Sequence, residues 1–455
     1  MNLDIRQFYR ATEPGRALAC ADPEDRKYYI DFSSVRGGEI IDKIRKKIAF
    51  LLDDRPTCTL FTGHIGCGKS TELLRLKMDL EADGFHVVYF ESSEDLEMTD
   101  VDIVDVLLAI ASRISQSLKT LPPMPMSKLK ALLQATSNVL NADVVGGGIN
   151  IPGLPDIAGV KLGTLGVRAQ GDEFTLSLGI GDITAKVKQD ASLRKKLNQF
   201  LGPQKQQLLD AINQELLEPA IAQLKAQGKR GLVAIVDNLD RLDNRPKPWG
   251  KPQPEYLFVD QGEYLSKLNC HLVYTIPLAL KFSNSYGMLT QRFEDPKVLP
   301  MVPVRSQDGK EHQAGMALLR RMVLARAFPD LDEQQGLEAI PLIFENLETL
   351  DRLCQISGGH VRDLLKLLNT WIMEEMQFPL HRHSLEQVIQ SCQHDMIMPI
   401  SEPEWELLRQ VNVHKKVTDD TGYQQLIRSR FVFEYRDNGK GWFDVNPILA
   451  EAGLL

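Results

Sequence analysis

Gly63-His64-Ile65-Gly66-Cys67-Gly68-Lys69-Ser70 is the stretch from which the rest of the chain can be read. It matches G-x-x-x-x-G-K-[ST], the phosphate-binding loop known as the P-loop. Before it, Thr57-Cys58-Thr59-Leu60-Phe61-Thr62 reads as a short buried strand, and after it Thr71 to Asp79 reads as the start of an amphipathic helix. Strand, glycine turn and helix N-terminus together form an anion cradle, because backbone N–H groups point inward and the helix dipole favours negative charge. Glycine is needed where a Cβ would block the approach of phosphates. The loop predicts contacts to ATP from Gly63, His64, Ile65, Gly66, Cys67, Gly68, Lys69, Ser70 and Thr71, with Lys69 on the β- and γ-phosphates and the Ser70 hydroxyl on Mg²⁺.

The second diagnostic stretch lies far downstream. Leu232-Val233-Ala234-Ile235-Val236-Asp237 is an apolar run ending in a carboxylate. Such a run fits a strand covered on both faces. Its terminal Asp emerges at the carboxyl edge of the sheet, where ligands bind in open α/β folds. Asp237 is therefore the second residue expected to orient Mg²⁺, as in a Walker B strand. The next residue is Asn238, which can position water but cannot take a proton. Asp240 is the preferred general base, with Asp243 behind it. A carboxylate at 240 also suits a helix cap or a pair with Arg241.

Around these two strands the chain divides by pattern. Residues 1–35 are a mixed N-terminal segment. Residues 36–120 and 200–305 form the P-loop core, an α/β parallel sheet with helices on both faces. Glu39 to Leu52 is helical in period, and serves either to cover a nucleotide base or only to pack. Phe85 to Phe90 is a strand and Val101 to Leu118 a helix. Residues 121–199 are an insert, opening with a helix over Lys128 to Leu140. The glycine-rich region 141–190 follows, where Phe174, Leu176, Leu178 and Ile180, then Ile183, Ala185 and Val187, alternate around Gly181-Asp182. That spacing predicts β-hairpins. The insert is either a self-packed loop or a surface for a protein partner, for self-assembly or for a membrane. Leu193 to Gln227 returns to helix, with Pro219 as an expected break.

At this point the chain resembles the AAA+ and STAND groups of P-loop ATPases. The string IVDNLDRL, Ile235 to Leu242, is similar to their Walker B region and to that of KAP-type ATPases. The resemblance covers about residues 30–120 and 200–455. It implies that Thr275, at the tip of the strand Cys270 to Pro277, is a sensor for the γ-phosphate or water. It implies that Arg292, before the strand Val298 to Val304, is an arginine finger reaching a neighbouring subunit. It also identifies Gly358-Gly359-His360-Val361-Arg362 with the sensor 2 motif of origin-recognition and helicase-loader ATPases. Arg362 then points back at the phosphates from a helical lid, residues 306–398. In each case a structural role in a strand end or an ion pair is the alternative.

Residues 399–455 are a separate C-terminal module. Ser401 and Glu404 have capping-box spacing. Two helices, Trp405 to Val411 and Tyr423 to Arg428, precede strands joined by Asp437-Asn438-Gly439-Lys440-Gly441, a hairpin signal. Helices followed by a hairpin resemble a winged helix. Asp and Glu outnumber Lys and Arg in this module, so regulatory docking is favoured over DNA binding.

Bulk properties narrow the class. At 455 residues and a net charge of −8 the chain is an ordinary globular protein of about three domains. General polyanion binding is disfavoured, because it needs clustered cations, while a local basic face stays open. The six cysteines lack paired spacing and suggest a reduced, cytoplasmic protein. Cys67 suits a small filler more than a redox switch. There is no signal-peptide core at the N-terminus and no apolar run long enough for a membrane span. The combined expectation is an ATP-binding, slowly hydrolysing switch that can assemble as a homo-oligomer; the resemblance places bacterial relatives of this kind in signalling or phage defence. A DNA-associated loader or transposition-type ATPase is the alternative, as is a nucleotide-binding scaffold without turnover.

Overall fold

The computed structural model describes residues 4–122, 126–141, 176–418, 421–437 and 440–455. Its centre is a five-stranded sheet in the order β2-β3-β4-β1-β5. The strands are β1 (Cys58–Gly63), β2 (His86–Glu91), β3 (Leu232–Asp237), β4 (His271–Ile276) and β5 (Lys297–Leu299). Every pairing is parallel. β4 lies between β1 and β3, so the P-loop strand and the acidic strand are not neighbours, although both end at the same edge.

Both sheet faces are covered, as the unbroken apolar run of β3 requires. Leu232, Ala234 and Val236 pack with the helices Ile103–Ser117, Ala191–Leu201 and Glu218–Ala226. Val233 and Ile235 pack on the other side with Ile41, Ile44 and Ile48 and with Leu73, Leu76 and Leu80 of the P-loop helix, Lys69–Ala82. The helix Ile40–Lys46 and its continuation to Leu51 belong to this packing. β5 is shorter than the expected strand Val298 to Val304, because Pro300 and Pro303 cannot donate to a ladder.

Two readings are corrected. The stretch expected to form β-hairpins around Gly181-Asp182 is a helix, Leu176–Gln189. Ile180, Ile183 and Val187 are all buried and fit a helical period as well as an alternating one, and the core against Ile103–Ser117 selects the helix. Residues 142–175, which hold most of the glycines of the insert, lie outside the described residues. Pro219 does not break its helix. It sits in the first turn of Glu218–Ala226, directly after a π-helical turn, Ile212–Leu217. That wider turn relieves the clash of the proline ring with the carbonyl one turn earlier. The interruption comes instead at Gly202–Gln204, a single 3₁₀ turn around Pro203.

Residues after 306 form a second core around Trp371, built by Gln313–Ala327, Leu347–Ile356, Val361–Glu375 and Arg382–Ile397 with Phe8 and Phe32 of the N-terminal segment. The C-terminal module has the helices Glu402–His414 and Thr421–Arg428 and the antiparallel pair β6 (Val432–Asp437) and β7 (Lys440–Val445). The Ser401–Glu404 capping box is formed. Turn residues 438 and 439 lie outside the described residues. All six cysteines are free. Among the described residues no helix is long and apolar enough to cross a membrane.

Candidate functional site

The P-loop leaves β1 and closes at Lys69, the first residue of its helix. Gly66 (φ +92°) and Gly68 (φ +103°) take left-handed backbone that L side chains rarely adopt. A Cβ on Gly66 would also lie 2.7 Å from His360 Cε1 and 2.9 Å from Arg362 Cβ. The loop thus needs glycine both for its turn and for the close approach of a later segment.

Lys69 is buried and its ammonium is fully used. It donates to the carbonyls of Gly63 and His64, both at 2.8 Å, and pairs with Asp240 Oδ2 at 2.9 Å. Burial works against its charge, but Asp240 and then Asp237 outweigh that and raise its pKa. Asp240 therefore pairs with the loop lysine and not with Arg241. Its second oxygen, Oδ1, is buried without a partner. Asp243 instead pairs with Arg245 at 3.1 Å.

Ser70 and Asp237 are brought together through a residue the sequence did not single out. The Tyr89 hydroxyl donates to Asp237 Oδ2 at 2.9 Å and lies beside the Ser70 side chain. Burial first, then Asp237, raises the Tyr89 pKa. A hydroxyl and a carboxylate converging at one point are hard oxygen donors, and they fit Mg²⁺. Asn238, in left-handed backbone at φ +66°, turns its amide onto Glu91 Oε2 at the end of β2. Its own N–H donates to Asp237 Oδ1 at 2.7 Å.

Lys69, Ser70, Glu91, Asp237, Asn238 and Asp240 line one cavity, with Ile65, Gly66, Cys67, Gly68 and Thr71, while Gly63, His64, Tyr89 and Asp243 stand outside its wall. The opposite wall is the N-terminal segment: Leu18, Tyr28, Tyr29, Ile30 and Phe32 line it, as do Met322 and Leu365. The Leu18 N–H donates to Thr71 Oγ1 at 3.2 Å. These wall residues line the phosphate-loop cavity together with Arg16, Glu72 and Arg326, and the helix beginning at Ile40 contributes none of its wall. Arg36 lines the same cavity, donating to the Cys67 carbonyl at 3.0 Å while its Nε has no partner. Burial lowers its pKa. Cys67 is fully buried with Sγ 3.8 Å from the Leu299 carbonyl, which agrees with a filler.

Three consecutive loop residues are held by segments that follow residue 306. His64 Nε2 accepts from the backbone N–H of Glu434 in β6 at 2.8 Å. The Ile65 carbonyl accepts from His360 Nε2 at 2.8 Å, since His360 Nδ1 already accepts from the Asp363 N–H. The Gly66 carbonyl accepts from the Arg362 N–H at 3.2 Å. Phe433 joins the two histidines: it stacks on His360 at 5.5 Å and meets His64 edge-on at 5.6 Å. Both imidazoles are neutral. Burial is the main cause in each, lowering His64 well below its usual range and His360 to about 4.

The remaining expected residues are placed as follows. Arg362 lines the cavity. Thr275 is fully buried near the end of β4 with Oγ1 unpartnered, but it is not part of the cavity wall. Arg292 is exposed, donates to the Asp260 carbonyl at 3.2 Å, and stands away from the cavity of its own chain. Arg36, Tyr89, Glu91 and the Tyr28–Phe32 wall were missed. The only sequence signal for any of them was position: Glu91 ends a strand, and Arg36 precedes Gly37-Gly38.

The sheet, the glycine loop and the paired carboxylates define a P-loop nucleotide-binding fold of the α/β class. No protein-family model matches the chain, and no curated protein matches it in sequence. Among solved structures it is similar to the Walker-type ATPase PABY2304 of Pyrococcus abyssi, at 10% identity over 97% of this chain and 99% of that one, with a TM-score of 0.43. It is similar to the Aeropyrum pernix ORC2 protein in its ADP form, at 13% identity over 93% and 94% of the two chains, with a TM-score of 0.40. The Aeropyrum pernix ORC1 protein in complex with DNA is matched at 12% identity over 91% and 92%, with a TM-score of 0.35.

Proposed function

We propose that the chain is an ATP-dependent conformational switch of the AAA+/STAND kind. The observation that carries this is the contact of three P-loop residues, His64, Ile65 and Gly66, with the helical region and with β6. A ligand that reshapes the loop acts directly on both, so each ligand state biases a different arrangement. The helical region then serves as a lid, and the C-terminal module as a winged-helix-like output.

In this reading ATP lies between the P-loop and the Tyr28–Phe32 wall, with Arg36 and Arg362 beside its phosphates. Ser70 and Asp237 would hold Mg²⁺, which neutralises charge on the phosphates. Lys69 exchanges Asp240 for phosphate, and the released Asp240 carboxylate orients the attacking water. Asn238 supports a second assignment, since its amide holds Glu91 at the cavity. Arg292, free of its own site, suits action on a neighbouring copy, which makes self-assembly part of the proposal. Arg428 bonds the Leu242 carbonyl and Arg430 pairs with Asp363, so both are held within the chain, which supports a docked module over one that reads DNA bases. A cytoplasmic location goes with this reading.

The test is nucleotide binding and phosphate release by the full chain. Lys69→Ala is expected to abolish tight ATP binding. Asp240→Asn is expected to keep binding and lower turnover at least ~100-fold, within the range of general-base loss. Loss in Glu91→Gln with Asp240→Asn unaffected would move the base to Glu91. Binding without release in the wild type would leave a scaffold.

A further inference from the structure

A second cavity of about 530 Å³ opens beside Ile65 of the P-loop. Arg241 and Arg362 line both cavities, and beyond them Lys366, Arg428 and Arg430 line only the second. These cations come from three parts of the fold: Arg241 follows β3, Arg362 and Lys366 lie one turn apart on Val361–Glu375, and Arg428 ends the Thr421–Arg428 helix with Arg430 in the turn after it.

Among the described residues, Asp363 is the only carboxylate lining this cavity, and it is already engaged. Its Oδ1 takes Arg430 Nη1 at 2.6 Å. Arg428 donates Nη2 to the Leu242 carbonyl at 3.0 Å, while its buried Nη1 has no partner. Among the described residues, Arg241, Arg362 and Lys366 have no side-chain hydrogen bond or ion pair. Burial lowers the Arg362 pKa, and the nearby Arg241 and Arg430 lower it further. Five cations, of which Arg241 and Lys366 are exposed, thus face one committed carboxylate in an open cleft of a chain whose net charge is −8. Like charges gathered in reduced dielectric repel, and the arrangement is relieved by an anion.

Guanidinium forks match phosphate oxygens, often two at a time. Cations spread over three elements around a cavity of this size suit several linked anionic groups better than a single one. We propose that the cleft binds a chain of linked phosphates, alongside a nucleotide in the P-loop and not in place of it. Such a ligand bridges the core, the helical region and the C-terminal module. The proposal rests on the nucleotide reading only for what fills the neighbouring cavity. A free oligophosphate and the backbone of a single-stranded nucleic acid share this chemistry.

The test uses the full chain saturated with ADP, titrated with inorganic tripolyphosphate and, separately, with a labelled single-stranded oligothymidylate at two salt concentrations. At least one probe is expected to bind without displacing ADP. Lys366→Ala, at an exposed side chain, is expected to weaken it several-fold, and Lys366→Ala with Arg428→Ala at least tenfold, with ADP affinity unchanged. Thermal unfolding checks that both variants fold. Tripolyphosphate alone binding identifies a small oligophosphate site; oligothymidylate binding with a steep salt dependence identifies a nucleic-acid backbone. The proposal is overturned if neither probe binds, if binding displaces ADP mole for mole, or if Lys366→Ala and the double variant bind like wild type. Binding that depends on Lys366 in a protein that takes up no nucleotide would keep the cleft and remove the nucleotide reading instead.

Discussion

Lys69 and Asp240 form the ion pair on which the proposed chemistry turns. Both side chains are at most 5% exposed, so neither charge is offset by water. Removing one partner of a buried pair leaves the other uncompensated, at a cost of about 3 kcal/mol or more. Asp240→Ala is therefore expected to lower the unfolding temperature of the nucleotide-free protein. Phosphate then supplies the missing negative charge, so an ATP analogue should raise that temperature more in the variant than in wild type. Thermal unfolding with and without the analogue measures both, and identical shifts in the two proteins would refute the exchange of partners. Gly66 gives a second test of different origin. Gly66→Ala places a Cβ in left-handed backbone and against His360 and Arg362. Nucleotide affinity is expected to fall at least ~10-fold, as about 1.4 kcal/mol of strain does, measured by titration calorimetry. Wild-type affinity would show that the loop does not keep this shape with ligand.

The helix Val361–Glu375 begins at His360, whose side chain caps it through the Asp363 N–H. The same ring grips the P-loop through Ile65, so one neutral imidazole serves two elements. Its pKa is about 4 when folded, chiefly from burial, against about 6.5 when unfolded. The unfolded chain then takes up the proton first as pH falls. His360 thus contributes stability that is intact above pH ~6.5 and is lost between there and ~4, by about 3 kcal/mol in all. His64, lowered in the same direction, adds to this slope. Urea unfolding from pH 7 to 4 is expected to show the loss, and His360→Asn to flatten it; equal slopes would remove the assignment. Which elements were legible in sequence follows from how local their signals are. β1, β3 and the P-loop helix were readable because motif and apolar run lie within a few residues. The Leu176–Gln189 helix was not, since Ile180, Ile183 and Val187 satisfy both periods and only the facing helix decides between them. Pro219 misled because a π turn upstream absorbed its clash. Tyr89, Glu91 and Arg36 reach the site through sheet register and chain crossing, which a linear pattern does not carry.

Across the molecule, the C-terminal module meets the core at the P-loop itself. Met301 N–H donates to the Glu434 carbonyl at 3.0 Å, and Tyr435 Oη donates to the Gly358 carbonyl at 2.8 Å. The Glu434 N–H goes to His64, and Phe433 fills the space between the two histidines. A β6 amide whose acceptor is a P-loop side chain reports directly on the state of that loop. If nucleotide reshapes the loop, hydrogen exchange at Glu434 and along β6 must change on binding, although β6 forms no part of the nucleotide cavity wall. His64→Ala removes the acceptor and leaves the loop glycines and Lys69 in place. In that variant nucleotide affinity is expected to stay within about threefold of wild type, a coupling loss of under ~1 kcal/mol, while the exchange response of β6 disappears. Hydrogen exchange read by mass spectrometry, with and without an ATP analogue, separates the cases. A response that persists in His64→Ala would route the coupling through His360 and the helical region. No response in wild type would mean that loop and module share a contact without sharing an equilibrium, and the switch would lose its output.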